Sequence, residues 1–502
     1  MIGRCRSVVL TGLVGHVIEV EAHVAHGLPA FTIVGLPDAS LAEAKERVRA
    51  AVASSGVEWP RHRITVNLSP ASLPKSGPAT DLAIAVAVLA AARAIDAARA
   101  RDMVLLGELG LDGRVRPVRG VLPAVAAACA AGWTRVVVPA GNAGEAGLVA
   151  AARVSAAPAL ATVLSDLGAD AHAESLETVR PPALTGPRRA VPDLADVRGQ
   201  AEARVALEVA AAGGHHLLMV GPPGAGKTML AERLPGVLPD LGEEEAIAVT
   251  SVHSLAGVFD PAEGLVRRPP FEAPHHTASA ASIVGGGSGL ARPGAVSLAH
   301  AGVLFLDEAP EFPTRVLETL RQPLERGEIV LHRAYGVTRY PARFQLVLAA
   351  NPCPCGRFVG TGEFCRCKPD ARRRYLDRLS GPLLDRIDIQ VTVGPAARAD
   401  VPGESSGAVA ARVARARDAA AERLGPHGWR LSVEATGPWL RKATSRSACA
   451  GLWHAVDRGT LTARGFDRAL RVAWTLADLE GASSPDATHV GQALVLRQGV
   501  RS

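Results

Sequence analysis

A chain of 502 residues has room for roughly two to four domains, and a hydrophobic share of 48% can give each a core, built from Ala, Val and Leu because aromatics reach only 4%. The net charge of +6 admits a nucleic-acid partner without requiring one, since a solvated surface carries the same charge. The longest apolar run, residues 82–92, stops at Arg93, short of the ~20 residues that span a bilayer. Arg4, Arg6, Glu19 and Glu21 also interrupt any secretory pattern. The expectation is a soluble, cytoplasmic protein with no membrane partner, whose seven cysteines form no structural disulfides.

Along the chain, residues 1–170 alternate strand-like and Ala-rich helical segments. Residues 17–23 alternate apolar and polar side chains as a half-buried strand does. Residues 38–53 carry charge on one face only, the pattern of an amphipathic helix. Residues 135–139 read as a buried strand. Residues 171–192 are rich in Pro and polar residues without periodicity and read as a linker. Ordered patterning resumes over 193–395. Residues 396–502 are Ala- and Arg-rich with helical periodicity, notably over 408–424 and 464–479. The fold class expected is α/β: an α+β block, a central α/β domain with a parallel sheet, and a helical lid.

The central block carries phosphate chemistry. Gly221, Pro222, Pro223, Gly224, Ala225, Gly226, Lys227 and Thr228 match G-x-x-x-x-G-K-[ST], between an apolar strand at 217–220 and a helix opening at Thr228. The glycines let the backbone fold so that its N–H groups face phosphate oxygens, and the helix N-terminus adds a favourable dipole. Lys227 is placed to reach the outer phosphates of ATP, and Thr228 to hold Mg²⁺. A second apolar strand ends in Asp307 and Glu308, 80 residues after Lys227. Asp307 is suited to the Mg²⁺ shell and Glu308 to polarising the attacking water. A third strand, 344–350, ends at Asn351, which either senses the γ-phosphate or caps the turn before Pro352.

Cys353, Cys355, Cys365 and Cys367 form two C-x-C pairs. They either make a closed tetrahedral Zn²⁺ site or stand as four reduced thiols in a loop. Cys5, Cys129 and Cys449 are isolated and read as packing residues.

The segments DLADVRGQ, GPPGAGKT, FEAPHHTAS, RPGAVSLAHAGVLFLDEAPEF, AANPCPCG and LSGPLLDRIDI together resemble the magnesium-chelatase-type AAA+ ATPases, and more narrowly the ComM/YifB group of competence-associated DNA helicases. The resemblance covers essentially the whole chain. It implies a homo-oligomeric, hexameric ring motor with residues acting across subunit interfaces. Arg386 in LLDRID matches the arginine finger and Arg464 in TARGFDRAL the second sensor arginine, with Arg471 as the fallback. The loop Pro274–Thr277, the glycines Gly285–Gly287 and a hairpin over 333–340 turning at Gly336 stand where this clade carries inserted loops, and Arg333 and Arg339 are candidates for gripping DNA. Residues 1–170 resemble a Lon-type protease domain in which Ala79 and Leu122 replace the serine and lysine, which implies no peptidase activity. A DNA motor is the leading expectation. A porphyrin-directed chelatase motor and a protein-remodelling ATPase are the alternatives.

Overall fold

The computed structural model describes residues 2–35, 43–73, 75, 77–171, 178–179, 192–287, 291–333, 336–358, 360–395 and 403–498. Most of the linker expected at 171–192 lies outside the described residues.

The N-terminal block is built on a long antiparallel pair, β1 (Ile2–Thr11) and β2 (Val14–Ala25), running from Ile2 opposite His23 to Thr11 opposite Val14. β3 (Ala30–Val34) and β4 (Arg63–Ser69) extend it beyond β2. β5 (Val104–Leu105) joins on the β1 side. Past a small separate pair, β6 (Glu108–Leu109) and β7 (Val115–Arg116), come β8 (Arg135–Pro139) and β9 (Arg153–Ala157). The sheet order is β3-β4-β2-β1-β5-β8-β9. The strand expected at 17–23 lies inside β2, and that at 135–139 coincides with β8. The helix expected over 38–53 is present as Ala44–Ser54, residues 36–42 being outside the described part.

The apolar run that is too short for a membrane forms the helix Asp81–Ala91, every residue of which is buried. A helix that is apolar all round belongs inside a core. It lies close against β1: a Cβ at Gly3 would stand 2.3 Å from the Ala87 carbonyl oxygen, so only glycine fits there. Among the described residues, no helix is long and apolar enough to cross a membrane.

The central domain holds β10 (Leu217–Val220), β11 (Phe271–Glu272), a short pair β12 (Gly285–Gly286) and β13 (Arg292–Pro293), β14 (Val303–Leu306), a hairpin β15 (Glu328–Arg333) and β16 (Gly336–Pro341), β17 (Gln345–Ala350) and β18 (Ile389–Thr392). Five of these form an all-parallel sheet in the order β11-β14-β17-β10-β18. β10, β14 and β17 are buried throughout, as strands covered on both faces must be. Their side chains divide with period two. Leu217, Met219, Val303, Phe305, Val347 and Ala349 enter one core, and Leu218, Val220, Leu304, Leu306, Leu346 and Leu348 enter the other.

The first of those cores continues without a break into the C-terminal helices, through Val409, Val413, Leu452, Leu470 and Trp474. The helical region is therefore packed as one body with the sheet. Its helices Ser406–Leu424 and Ala463–Glu480 match the periodic segments of the sequence closely.

The N-terminal block is docked on the central domain. Buried Glu145 accepts from the Leu122 N–H at 2.8 Å and from the Ser254 hydroxyl of the helix Glu243–Ala256, and Ser254 in turn accepts from the Gly120 N–H at 3.1 Å. The β1–β2 turn presses on β16, where a Cβ at Gly12 would come within 2.6 Å of the Arg339 carbonyl. The hairpin differs from its expectation. It begins at Glu328, Gly336 pairs with Arg333 as the first residue of β16, and residues 334–335 lie outside the described part. Tyr340 is buried and donates to the Ala291 carbonyl at 2.5 Å.

Candidate nucleotide site and its surroundings

The site grows from the C-terminal ends of β10, β14 and β17. Gly221 leaves β10 where a Cβ would stand 2.2 Å from the Val393 carbonyl, so only glycine passes. Gly224 and Gly226 have φ of 77° and 92°, in the left-handed region that favours glycine, and a Cβ on either would meet nothing within 4 Å. The positive φ, rather than crowding, is what calls for glycine at both positions, and both face open space. Gln200 pins the loop from behind, donating to the Ala225 carbonyl at 3.1 Å and the Gly394 carbonyl at 2.7 Å. The Lys227 ammonium is buried and donates to the carbonyls of Gly221 at 2.6 Å and Pro222 at 3.0 Å and to Asn351 Oδ1 at 3.1 Å. Burial pulls its pKa down, while Asp307 and Glu308 pull it up. A phosphate oxygen brought into the cradle of the loop is a stronger acceptor than any of these neutral partners.

Thr228 Oγ1 donates to Asp307 Oδ2 at 2.8 Å, and Asp307 Oδ1 accepts from the Glu308 N–H at 2.9 Å. A hydroxyl and a carboxylate side by side are the hard oxygen pair that Mg²⁺ takes. Glu308 has φ of 49°, a left-handed conformation that side chains other than glycine and asparagine rarely adopt. Strain of this kind is held where surrounding structure over-determines the backbone.

His276, in the loop Pro274–Thr277, stands with Nδ1 3.7 Å from Glu308 Oε2. Its ring lies against His275, with centroids 4.1 Å apart, and edge-on to Phe312. Topology explains the placement: β11 is the neighbour of β14, so the loop leaving β11 emerges beside Asp307 and Glu308.

The four clustered cysteines meet. Their sulfurs all lie within 4.8 Å of one another, with Cys353 to Cys355 at 3.4 Å, Cys353 to Cys365 at 3.6 Å and Cys355 to Cys365 at 3.8 Å. Tetrahedral Zn–S bonds of ~2.3 Å set sulfurs about 3.8 Å apart, so the set fits Zn²⁺. The knuckle touches the phosphate loop: a Cβ at Gly356 would stand 2.6 Å from the Pro223 ring. Among the other cysteines, Cys5 and Cys449 are buried and Cys129 is half-buried.

The arginines occupy the opposite end of the sheet. Arg386 lies three residues before β18, whose Ile389 pairs in register with Leu217 at the start of β10. Its guanidinium pairs with Glu325 and donates to the Pro382 carbonyl at 2.5 Å. Arg464 shares a cavity of about 320 Å³ with Arg386, Arg468, Glu325 and Asp385, and no phosphate-loop residue lines it. Arg471 points into the helical region and donates to the Ala435 carbonyl at 3.0 Å. The residue that sequence reasoning missed is Arg468, midway between Arg464 and Arg471. It donates to the Arg386 carbonyl at 3.0 Å and to Asp388 at 2.5 Å. Arg339 is 62% exposed and pairs with Glu328 across the hairpin at 2.7 Å.

In the N-terminal block, Ala79 lines a cavity of about 500 Å³ with Gly77, Glu108, Arg119 and Val121, closed on the other side by Leu255, Arg292 and Tyr340 of the central domain. Among the described residues, no serine, cysteine or lysine lines it. Leu122 is buried. Ser76 lies outside the described part, and Lys75 is buried and donates to the Pro70 carbonyl.

Comparison with known proteins agrees with this geometry. Family models described as magnesium chelatase, subunit ChlI, match residues 193–401; as subunit ChlI of Mg-chelatase, residues 20–142; and as the ChlI C-terminal part, residues 403–497. The chain is 54% identical over 505 residues to an uncharacterized protein of Mycobacterium tuberculosis, covering 99% of each. It is 41% identical over 496 residues to the competence protein ComM of Haemophilus influenzae, covering 98% of this chain and 96% of the other. It is 41% identical over 490 residues to YifB of Escherichia coli, covering 96% and 94%. A shorter likeness, 31% over 153 residues and 28% of this chain, joins it to Lon protease 2 of Bacillus subtilis, 26% of which it covers. The chain belongs to the ComM/YifB family of magnesium-chelatase-type AAA+ proteins, with a Lon-like N-terminal block.

Proposed function

We propose that this chain is the subunit of an ATP-hydrolysing ring motor, a hexamer, that acts in the cytoplasm as a DNA helicase or translocase on branched DNA or recombination intermediates. The convergence of Lys227, Thr228, Asp307 and Asn351 at the C-terminal ends of three parallel strands carries the ATPase part. Gly221, Pro222, Pro223, Gly224, Ala225 and Gly226 wrap the phosphates, Lys227 binds the outer ones, and Asn351 contacts the γ-phosphate. Thr228 and Asp307 hold Mg²⁺, which neutralises phosphate charge when bound. Glu308 orients and polarises the attacking water.

Arg386 and Arg464 complete the site from a neighbouring copy. The reason is geometric: they sit at the N-terminal ends of the strands and the cradle at the C-terminal ends. A four-residue strand between them, rising ~3.3 Å per residue, spans more than ~10 Å. One subunit thus presents two half-sites facing opposite ways, and a closed ring of copies joins each to its complement. The cysteine knuckle, holding Zn²⁺, keeps the segment between Asn351 and Arg386 in register with the phosphate loop. Ala79 and the buried Leu122 stand where the serine and lysine of a dyad would, so the Lon-like block acts as a collar without peptidase activity.

The DNA part rests on the net charge, on the exposed hairpin carrying Arg339, and on a full-length relative named for competence. Matches to chelatase-subunit models along the chain favour one second reading, a motor serving metal insertion into a porphyrin. The test is the steady-state ATPase rate with and without forked or four-way-junction DNA at two salt concentrations. Stimulation that fades at high salt is expected of a motor gripping phosphates. A normal basal rate with no response to DNA would turn the assignment to the second reading.

A further inference from the structure

Residues 385–388 lead from the short helix Gly381–Leu384 into β18, and their backbone is held from outside the central domain. Arg468, on the helix Ala463–Glu480, donates to the carbonyl of Arg386 at 3.0 Å and to the carboxylate of Asp388 at 2.5 Å. One residue along, Arg497 of the last helix donates to the Ile387 carbonyl at 2.8 Å. Two C-terminal helices therefore cap two successive carbonyls of the segment that bears Arg386.

The anchor for this arrangement is deeply enclosed. Asp388 and His215 are both fully buried. Burial alone would raise the Asp388 carboxyl, but Arg468 and then His215 outweigh it and hold the group well below the usual carboxylate range. His215 Nδ1 lies 3.4 Å from Asp388, and Nε2 lies 2.8 Å from Thr475 Oγ1 on the same helix as Arg468. Thr475 Oγ1 in turn donates to the Arg471 carbonyl at 3.1 Å, so the hydroxyl ties the His215 ring to the backbone of that helix. Gly213 makes the room: a Cβ there would stand 2.1 Å from Nε2 and 2.4 Å from Thr475 Oγ1. A buried ion pair adds little net stability, because desolvation offsets the attraction, but with every partner satisfied it admits only one arrangement. Here it fixes where a helix of the C-terminal region meets the start of β18.

We infer that Arg468, together with Arg497, is a positioning residue for Arg386, so that the C-terminal helices and the finger of one subunit move as a single unit against the neighbour's phosphates. The inference rests on the reading of Arg386 as a finger acting in trans. It gives the C-terminal region a defined role, because a shift of these helices in one subunit is delivered to the ATP site of the next.

The test uses the full-length chain and its ATPase rate. Arg468→Gln is expected to lower kcat about tenfold with KM for ATP unchanged, because misplacing a transition-state group costs rate rather than ground-state binding. Arg497→Gln, which removes one carbonyl contact and leaves Asp388 paired, is expected to cost about threefold and serves if Arg468→Gln does not fold. In an Arg386→Ala background neither change should cost anything more, since the group being positioned is gone. Mixing Arg468→Gln subunits with Glu308→Gln subunits should restore part of the turnover, each supplying the half-site that the other lacks. A raised KM, a further loss on top of Arg386→Ala, or no rescue on mixing would overturn the inference. If Arg386→Ala stops turnover but neither Arg468→Gln nor Arg497→Gln slows it, the positioning role fails and the finger stands. If Arg386→Ala itself keeps full turnover, the finger reading fails and takes this inference with it.

Discussion

The two ends of the central parallel sheet carry polar residues of the same kinds in opposite circumstances. At the C-terminal ends, Lys227, Asp307, Glu308 and Asn351 border a space that Gly224 and Gly226 leave open. At the N-terminal ends, the His300 ring accepts from the Arg343 N–H at 3.1 Å, Gln345 donates to the His215 carbonyl at 2.8 Å, and Asp388 is locked by Arg468 and His215. Internal pairing makes the difference. At the N-terminal ends the polar groups are paired with one another and, at the start of β18, with the C-terminal helices, although a cavity of about 610 Å³ lined by His216, Arg343 and Gln345 lies beside them, whereas Gly224 and Gly226 at the other end face open space. An open strand end can give its hydrogen bonds to a ligand; a closed one spends them on fixing geometry. Arg386 lies on the rim of this end, away from the phosphate loop of its own chain, and the proposal that it acts on a neighbouring copy rests on that separation.

The sharpest way to break this contrast is at the open end. Lys227→Ala should weaken ATP binding at least about 100-fold, since it removes the charge-assisted donor to the outer phosphates. Titration with a fluorescent nucleotide checks this, and unchanged affinity would mean that the cradle is not the nucleotide site. Glu308→Gln keeps the shape of the side chain and removes its charge. It should leave binding intact and lower turnover at least about 100-fold. Normal turnover would move water activation elsewhere, with His276, 3.7 Å from Glu308, the first place to look.

The open end was legible in the sequence and the closed end was not. A phosphate loop is local: its glycines, Lys227 and Thr228 stand in one octapeptide, and the strands on either side announce themselves by continuous apolar runs. Asp307 and Asn351 could be read because each terminates such a run. Arg468 offered no comparable signal. Its partners lie 80 and 82 residues away, and its helix carries Arg464 and Arg471 within about one turn on either side, so spacing alone could not choose among them. The approach of His276 to Glu308 was hidden for a related reason: only the order of strands in the sheet, with β11 beside β14, brings the two together. The continuity of the helical C-terminal core with one face of the sheet was hidden likewise, because Ala and Val at helical spacing do not say what they pack against.

The knuckle sharpens the contrast at intermediate strength, because it touches the open end through Gly356 and Pro223 without belonging to it. Metal analysis of the purified chain should find about one zinc. Replacing Cys365 and Cys367 by serine should release it, lower Tm by about 5 °C and reduce ATPase through loss of register rather than loss of a ligand. Full zinc retention in that double variant would end the zinc assignment.

The smallest expected effect lies at the closed end and concerns pH. Burial, followed by the nearby Arg343 guanidinium, pushes the His300 imidazolium down to about 4. In the unfolded chain the same ring titrates near ~6.5. As pH falls below ~6.5 the unfolded state takes up a proton that the folded state refuses, so stability is lost on acidification through this window and is fully present above it. Between pH 7.5 and 5 the loss from this one group is about 2 kcal/mol. His300→Asn keeps an acceptor for the Arg343 N–H and removes the titration. The gap in urea midpoint between wild type and variant should therefore narrow at pH 5. A gap that stays constant would mean that His300 takes its proton within the fold, and that the N-terminal strand ends are less closed than their hydrogen bonds imply.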